Sequence, residues 1–370
     1  MMRPATENEV GGLLETSLEH MRCHQTAREV SAFPEEIARS LTAVDMSELE
    51  IAKFSSAFLN RHIAASKSVL GERPYDLEGV IFAVLPIKHC CVYTLRHGDK
   101  DYLVISLGFL ELLRYEATIV IMQSYHQRAI RLLVEQGVSS GSSGVSKFAS
   151  LSNGEQIFGF LQACAVRYFF EPGYLPRVEQ QLPEALQRKI STIMEPCIMF
   201  VILHELGHIN FRRHNIHTPF QRDFGGEFVV PESLNDAKKE ELYADRYALK
   251  SVPENFQHLL LHGALLFFNV FSYFETLIQP KSTHPISLNR INTLYKLSNP
   301  LSDKSNISLN AVEEVIHRMK RMHILQQLSG FDSKLARRSM IEKIILSQKE
   351  TLPYLLFAKA IGAFYEQQKK

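Results

Sequence analysis

A chain of 370 residues is long enough to bury a large core, as one big domain or two closely joined ones. Forty-one basic residues against forty acidic ones leave a formal charge of +1, without the basic excess that marks a nucleic-acid binder. Five cysteines, Cys23, Cys90, Cys91, Cys164 and Cys197, show no C-x-x-C spacing and no disulfide framework, so a reducing, cytoplasmic setting is expected.

Residues 1–75 read as an amphipathic helical flank, with Ile51, Phe54, Phe58 and Ile63 recurring at three to five positions. Glu7, Glu15 and Glu19 fall where a signal peptide would need an apolar stretch, so secretion through that end is not expected. Residues 79–106 are rich in Val, Ile, Tyr and Cys. Two apolar runs there, 88–96 and 101–106, are joined through His97-Gly98-Asp99-Lys100 and predict a β-hairpin in a small sheet.

Helical spacing resumes over 108–136, and the Gly/Ser run 137–146 reads as a connector or mobile loop. A further helix over 148–170 is broken by Glu171-Pro172-Gly173. Pro183 opens the segment leading to residues 197–213, where Pro196 is expected to start the helix or kink it, because proline cannot donate the interior bond. A turn-rich stretch, 214–232, precedes a helix over 235–251 that Pro253 closes. Residues 259–278 are apolar enough to raise the question of membrane contact. They carry His262, Asn269 and Glu275 and lack flanking Lys or Arg clusters, which favours a buried core helix. Amphipathic helices are expected over 286–297, 308–328, 333–348 and 351–368, with no internal repeat.

The chemistry concentrates in residues 197–213. His204, Glu205 and His208 form H-E-x-x-H behind six apolar residues. On a helix turning about 100° per residue, positions four apart differ by roughly 40°, so both imidazoles share a face and can bind one zinc ion. Glu205 lies beside the first ligand, where its carboxylate can reach an activated water without joining the metal. Gly207 leaves room next to the ligands.

A catalytic zinc needs three protein ligands and an open position. The helix over 235–251 offers Glu241 and Asp245, four apart and on one face. Glu241 is the candidate third ligand, and Asp245 is then placed to accept the free N–H of a ligand histidine and fix its tautomer. A bland reading leaves Lys238, Lys239, Glu240 and Glu241 as a solvated charged face. His214 is a competing ligand at the metzincin offset of ten from His204, but Phe211 stands where that pattern has its glycine. If the helix continues, His214 points about 240° away from His208. His217 and Glu227 are weaker candidates.

The pairing of His204-Glu205-Leu206-Gly207-His208 with Glu241-x-x-Ala244-Asp245 resembles the gluzincin zinc peptidases. It looks most like the branch holding the HtpX-type and CAAX-prenyl-type proteases and their soluble relatives. Ser282-Thr283-His284-Pro285 followed by Arg290-Ile291 is similar to the T-H-P…R-I element of those families, and Leu107-Gly108-Phe109-Leu110 after the hairpin is similar to their strand-then-helix. The resemblance implies a zincin-like core in which His284 helps stabilise the oxyanion. It also implies a zinc-dependent endopeptidase acting on a protein or peptide. In zinc peptidases an edge strand commonly aligns the substrate by main-chain pairing; the hairpin here either does that or only covers the core. The match runs over residues 80–297, and a Lit-like phage-exclusion peptidase that cuts one intracellular protein is a candidate relative. Clear transmembrane segments are missing and the connector between ligands is unassigned, so membrane and prenyl-protein substrates are not carried over.

The expected fold is mainly α with a small β-sheet (α+β). Residues 1–75 form a helical flank, 76–300 a zincin-like peptidase core and 301–370 a C-terminal helical region. The rival reading is a non-catalytic helical scaffold or regulator that retains a zinc site, with residues 308–370 as its working surface. Neither reading sets the oligomeric state.

Overall fold

A computed structural model describes residues 2–26, 46–70, 79–97, 99–135, 154–168, 175–214, 236–277, 287–298, 334–349 and 354–368. The protein is mainly α-helical with one small mixed sheet, as expected. In chain order the elements are β1 (Arg3–Pro4), α1 (Glu7–Thr26), α2 (Glu48–Leu70), β2 (Val80–Leu85), β3 (Val92–His97), β4 (Lys100–Ser106), α3 (Leu107–Glu135) and α4 (Gly154–Tyr168). A short 3-10 turn (Val178–Gln181) precedes α5 (Glu184–Arg213), α6 (Asp236–Lys250), α7 (Glu254–Leu277), α8 (Ser287–Ser298), α9 (Lys334–Lys349) and α10 (Tyr354–Gln367). The Gly/Ser run 137–146 and the helix expected over 308–328 lie outside the described residues. The chain divides into two compact units, the first made of Met1–Leu110, Pro196–Leu265 and Lys281–Val312, the second of Glu111–Glu195, Leu266–Pro280 and Glu313–Lys370.

The first unit is built on the sheet, in the order β1-β2-β4-β3. Strands β3 and β4 pair antiparallel, with His97 opposite Lys100, which is the hairpin read from the sequence. Strand β2 runs parallel to β4, and β1 adds two residues beside Ile81 and Phe82. Ile81, Ala83, Leu85, Tyr102 and Val104 pack with Val10 and Leu13 of α1 and Ile51 of α2. The alternate residues Val80, Phe82, Val84, Leu103 and Ile105 are also buried. A strand covered on both faces is apolar throughout rather than alternating, which accounts for the run from Val80 to Leu85. Because β1 stops short, the Val84 N–H is satisfied instead by Ser55 Oγ of α2 at 2.9 Å.

Ser106 ends β4 and starts α3. Its Oγ accepts the N–H of Phe109 and that of Cys91, each at 3.0 Å, which caps the helix and ties down the hairpin. The next residue but one must be glycine. Gly108 donates to the Ile87 carbonyl at 2.9 Å, and a Cβ there would lie 1.8 Å from the Lys88 oxygen.

Helix α5 begins at Glu184 and continues through Pro196, so the proline neither starts it nor ends it. Proline there denies the Thr192 carbonyl its interior donor. In the first unit α7 meets α5 backbone to backbone at this point, since a Cβ on Gly263 would sit 2.2 Å from the Pro196 oxygen. At the other end of α5, Arg212 Nη2 donates to Thr94 Oγ1 of β3 and Arg213 Nε to Asp101 Oδ2 of β4, both at 2.7 Å. Two cations in the last turn also suit the helix dipole. Among the described residues α5 is the one helix long and apolar enough to cross a membrane, and 61% of that apolar window is buried. The apolar run 259–278 falls mostly on α7, whose side chains from Ala264 to Val270 are buried.

The second unit holds its helices together by aromatic packing and buried polar ties. Phe158 of α4, Phe357 of α10 and His126 of α3 pack ring against ring, with centroids 5.3 to 5.6 Å apart. Tyr115 donates to the Leu161 carbonyl at 3.1 Å. The buried Glu116 carboxylate accepts from Tyr273 Oη at 2.7 Å and from Asn269 Nδ2 at 3.2 Å.

Candidate metal and catalytic centre

All the residues of this centre lie in the first unit, on α5, α6 and α8. The apolar positions Ile198, Phe200, Val201, Ile202 and Leu203 sink α5 into the core and carry His204 and Glu205 down with them, to 3% and 7% exposure. On α6, Leu242, Tyr243, Ala244, Ala248 and Leu249 do the same for Glu241 and Asp245. The two helices touch where both are small. A Cβ on Gly207 would stand 2.7 Å from the Ala244 Cα, so the spacing requires glycine on one side and a short side chain on the other. Tyr243 Oη closes the contact by donating to Asn210 Oδ1 at 2.5 Å.

That approach brings three potential metal donors together. The Nε2 atoms of His204 and His208 are 3.1 Å apart, with the rings nearly perpendicular at 88°. Glu241 Oε2 lies 3.5 Å from His204 Nε2, and Glu241 Oε1 lies 3.6 Å from His208 Nε2. Ligands about 2.0–2.1 Å from a tetrahedral zinc are separated by about 3.3 Å, which is close to all three separations. His204, His208 and Glu241 therefore form a group able to hold a metal ion.

The outer ring nitrogens explain why the inner ones point inwards. His204 Nδ1 is 3.0 Å from Asp245 Oδ1, and His208 Nδ1 is 2.9 Å from Glu240 Oε1. A carboxylate beside Nδ1 favours a proton on that nitrogen and leaves the Nε2 lone pair facing the centre. Two lone pairs and a carboxylate then converge in a buried space, an arrangement that repels itself unless a cation or a proton sits among them. Burial alone would lower the His204 pKa, but Asp245 and Glu241 outweigh that and push it up to about 9. For Asp245 burial acts upward, and the Arg290 guanidinium reverses it, holding the carboxyl below its ordinary range.

Arg290 and Glu240 are the two residues that the reading of the sequence missed. Arg290, on α8 and 1% exposed, forks onto Asp245 with Nε–Oδ2 and Nη2–Oδ1 both at 2.7 Å. It also reaches Glu241 Oε2 through Nη1 at 3.0 Å and approaches His204 Nε2 at 3.5 Å. The only sequence signal for it was its place in the R-I dipeptide. Glu240 figures in the sequence only in the bland alternative of a solvated face, yet it lies beside His208 Nδ1, and Arg212 Nη1 lies 3.9 Å from it. Among the described residues, no hydrogen bond or ion pair engages the buried carboxylate of Glu205. The helix runs straight through Phe211, and His214 is exposed and outside the cluster, so the metzincin arrangement is not formed. His217, Glu227 and His284 lie outside the described residues.

No curated protein and no solved structure matches the chain. A family model does: Peptidase U49 matches residues 121–311, more than half of the chain. The matched span includes His204, Glu205, His208, Glu241, Asp245 and Arg290, so the cluster of buried donors lies inside the part that the family shares. The chain belongs to the Peptidase U49 family.

Proposed function

We propose that the chain is a zinc-dependent endopeptidase of the gluzincin type, cutting a protein or peptide inside the cell. His204, His208 and Glu241 would hold the metal, with Asp245 and Glu240 fixing the two imidazoles through Nδ1. The observation that carries this reading is the convergence of two imidazole Nε2 atoms, 3.1 Å apart, with the Glu241 carboxylate, whose Oε2 and Oε1 lie 3.5 and 3.6 Å from them. When bound, zinc would supply Lewis acidity and lower the pKa of a water to about 7.

Glu205 is the general base of this proposal. It sits next to the first ligand, buried and with no partner among the described residues, so its carboxylate is available to take a proton. It would accept the proton of the attacking water as the new C–O bond forms. It would then pass the proton to the amine nitrogen as the C–N bond breaks, giving one acid and one amine. His284 is proposed to stabilise the oxyanion, on the strength of the resemblance alone. The HtpX-like branch is the proposed neighbourhood, supported by the Glu241-x-x-Ala244-Asp245 spacing and by Arg290 after His284-Pro285. A reducing compartment agrees with the free thiols of Cys90, Cys91, Cys164 and Cys197.

The test is a paired measurement on the purified full chain. Zinc content by elemental analysis and cleavage of casein or a proteome-derived peptide library are compared between the parent protein and Glu205→Gln. Stoichiometric zinc in both, with cleavage only by the parent, is expected. Absence of zinc from the parent after loading, or undiminished cleavage by Glu205→Gln, would overturn the reading.

A further inference from the structure

We infer that Arg212 is a positioning residue that ties edge strand β3 to the His208 imidazole by way of Glu240. This rests on the metal-site reading above, in which His208 is a ligand, and goes beyond it by naming what holds the carboxylate that orients that ligand.

Strand β3 stands last in the sheet order, and its side chains alternate between two faces. Tyr93 and Leu95 pack against the core that α1 and α2 share, so Thr94 between them turns to the other face. There its Oγ1 accepts from Arg212 Nη2 at 2.7 Å. The next link starts from the same guanidinium. Arg212 Nη1 lies 3.9 Å from Glu240 Oε1, the distance of an ion pair rather than of a hydrogen bond. That oxygen is also the one 2.9 Å from His208 Nδ1. One carboxylate oxygen therefore stands between a cation and an imidazole, and the cation is fastened to the strand.

Of the two carboxylates beside the ligand histidines, Glu240 needs such a hold more. Asp245 is short, 1% exposed and forked by Arg290. The Glu240 side chain is 27% exposed and has one more torsion with which to turn towards water. Arg212, itself 35% exposed, would be as loose without Thr94. A guanidinium can serve a hydroxyl and a carboxylate at once from different nitrogens, which a lysine ammonium, a single point, does less well. A shift of β3 that carries Thr94 away would loosen the hold on His208, so strand and imidazole keep a common register. Arg212 acts through Glu240 and is placed against no reacting atom.

The experiment measures the zinc affinity of the full chain by competition with a chromophoric chelator, in Arg212→Gln, Thr94→Val and Glu240→Ala, alone and combined. Glu240→Ala is expected to weaken binding by about 10–100-fold, as the loss of a group bonded to a ligand histidine does. Arg212→Gln and Thr94→Val should each weaken it by about two- to fivefold, the size of a partly exposed pair, and neither should add to the loss in the Glu240→Ala background. A merely structural role for Arg212 would lower the melting temperature in both backgrounds and leave affinity alone. Parent-like affinity in Arg212→Gln would overturn the proposal, and so would full additivity with Glu240→Ala. Weaker binding in Arg212→Gln with none in Thr94→Val would break the link to the strand and overturn it as well. If Arg212→Gln loses its helical circular dichroism, Thr94→Val, which removes a single hydrogen bond, decides. A second readout needs no metal. In the metal-free chain labelled with nitrogen-15 histidine, the His208 ring signals, assigned by their absence from His208→Gln, should move in Arg212→Gln and in Thr94→Val at a fixed pH. A parent that takes up no zinc would overturn the metal-site reading; unmoved His208 signals would overturn this one.

Discussion

Each unit of the protein buries a carboxylate among polar groups, and the two solve the problem of satisfying it differently. In the second unit Glu116 is surrounded by donors, a tyrosine hydroxyl and an asparagine amide, and its charge is spread over them. In the first unit Glu241 and the Nε2 atoms of two imidazoles turn towards one another, with Asp245 and Glu240 beside the outer ring nitrogens and the Arg290 guanidinium on Glu241 Oε2 and Asp245. A carboxylate met by a hydroxyl and an amide serves the fold. A carboxylate and two imidazoles that converge at the separations of metal ligands can also take a further cation. The comparison sets a structural polar core beside a candidate metal group on geometry alone.

The contrast can be broken or sharpened by mutation. The largest effect is expected from Glu205→Gln, with cleavage reduced by about 10²–10⁴-fold or more and metal content unchanged, read by peptide hydrolysis and elemental analysis. Next comes the metal itself. Glu241→Ala should weaken zinc binding by more than about 100-fold, judged against the 10–100-fold typical of groups outside the ligand set, in a chelator competition. Glu116→Gln should leave zinc binding unaltered.

The metal-free protein offers a third test, with a definite sign. His204 has a folded pKa of about 9, above its ordinary value of about 6.5, so its protonated form stabilises the fold. That contribution is complete below about pH 6.5 and is lost as the pH rises through about 9, amounting to up to about 3 kcal/mol. Thermal melts of the metal-free protein should therefore weaken across that window, and His204→Ala should flatten the dependence. With zinc added, protons compete with the metal and the trend should reverse, binding strengthening as the pH rises. Glu116→Leu is expected to cost about 1–3 kcal/mol in chemical denaturation, because the Tyr273 hydroxyl loses its acceptor. The smallest effect is expected of Thr94→Val, which removes one partly buried hydrogen bond to Arg212 and should cost about 1 kcal/mol.

Much of this was legible in the sequence because it is local. His204 and His208 are one turn apart, and so are Glu241 and Asp245, so helical periodicity alone puts each pair on one face. The hairpin was legible from its turn. The parallel pairing of β2 with β4 and the two-residue β1 were not, because pairing between distant segments leaves no periodic trace in either. Pro196 suggests the start of the helix or a kink in it; the helix starts twelve residues earlier, at Glu184, because a helix with much of its surface buried can forgo one hydrogen bond for continued packing. Arg290 was marked only as part of the R-I dipeptide; its partners are on another helix, and no local spacing shows that it reaches Asp245 and Glu241. Glu240 has no role in the sequence beyond the bland alternative of a solvated charged face, because nothing local shows that its side chain reaches back to His208.

The contact between Gly207 and Ala244 has a consequence for how such a centre keeps its shape. Alignment of the carboxylate with the imidazoles draws on two backbones touching, with room for a hydrogen alone at position 207. A methyl added there should wedge the two helices apart and spread the three donors, so a residue that bears no functional group holds the dimensions of the centre.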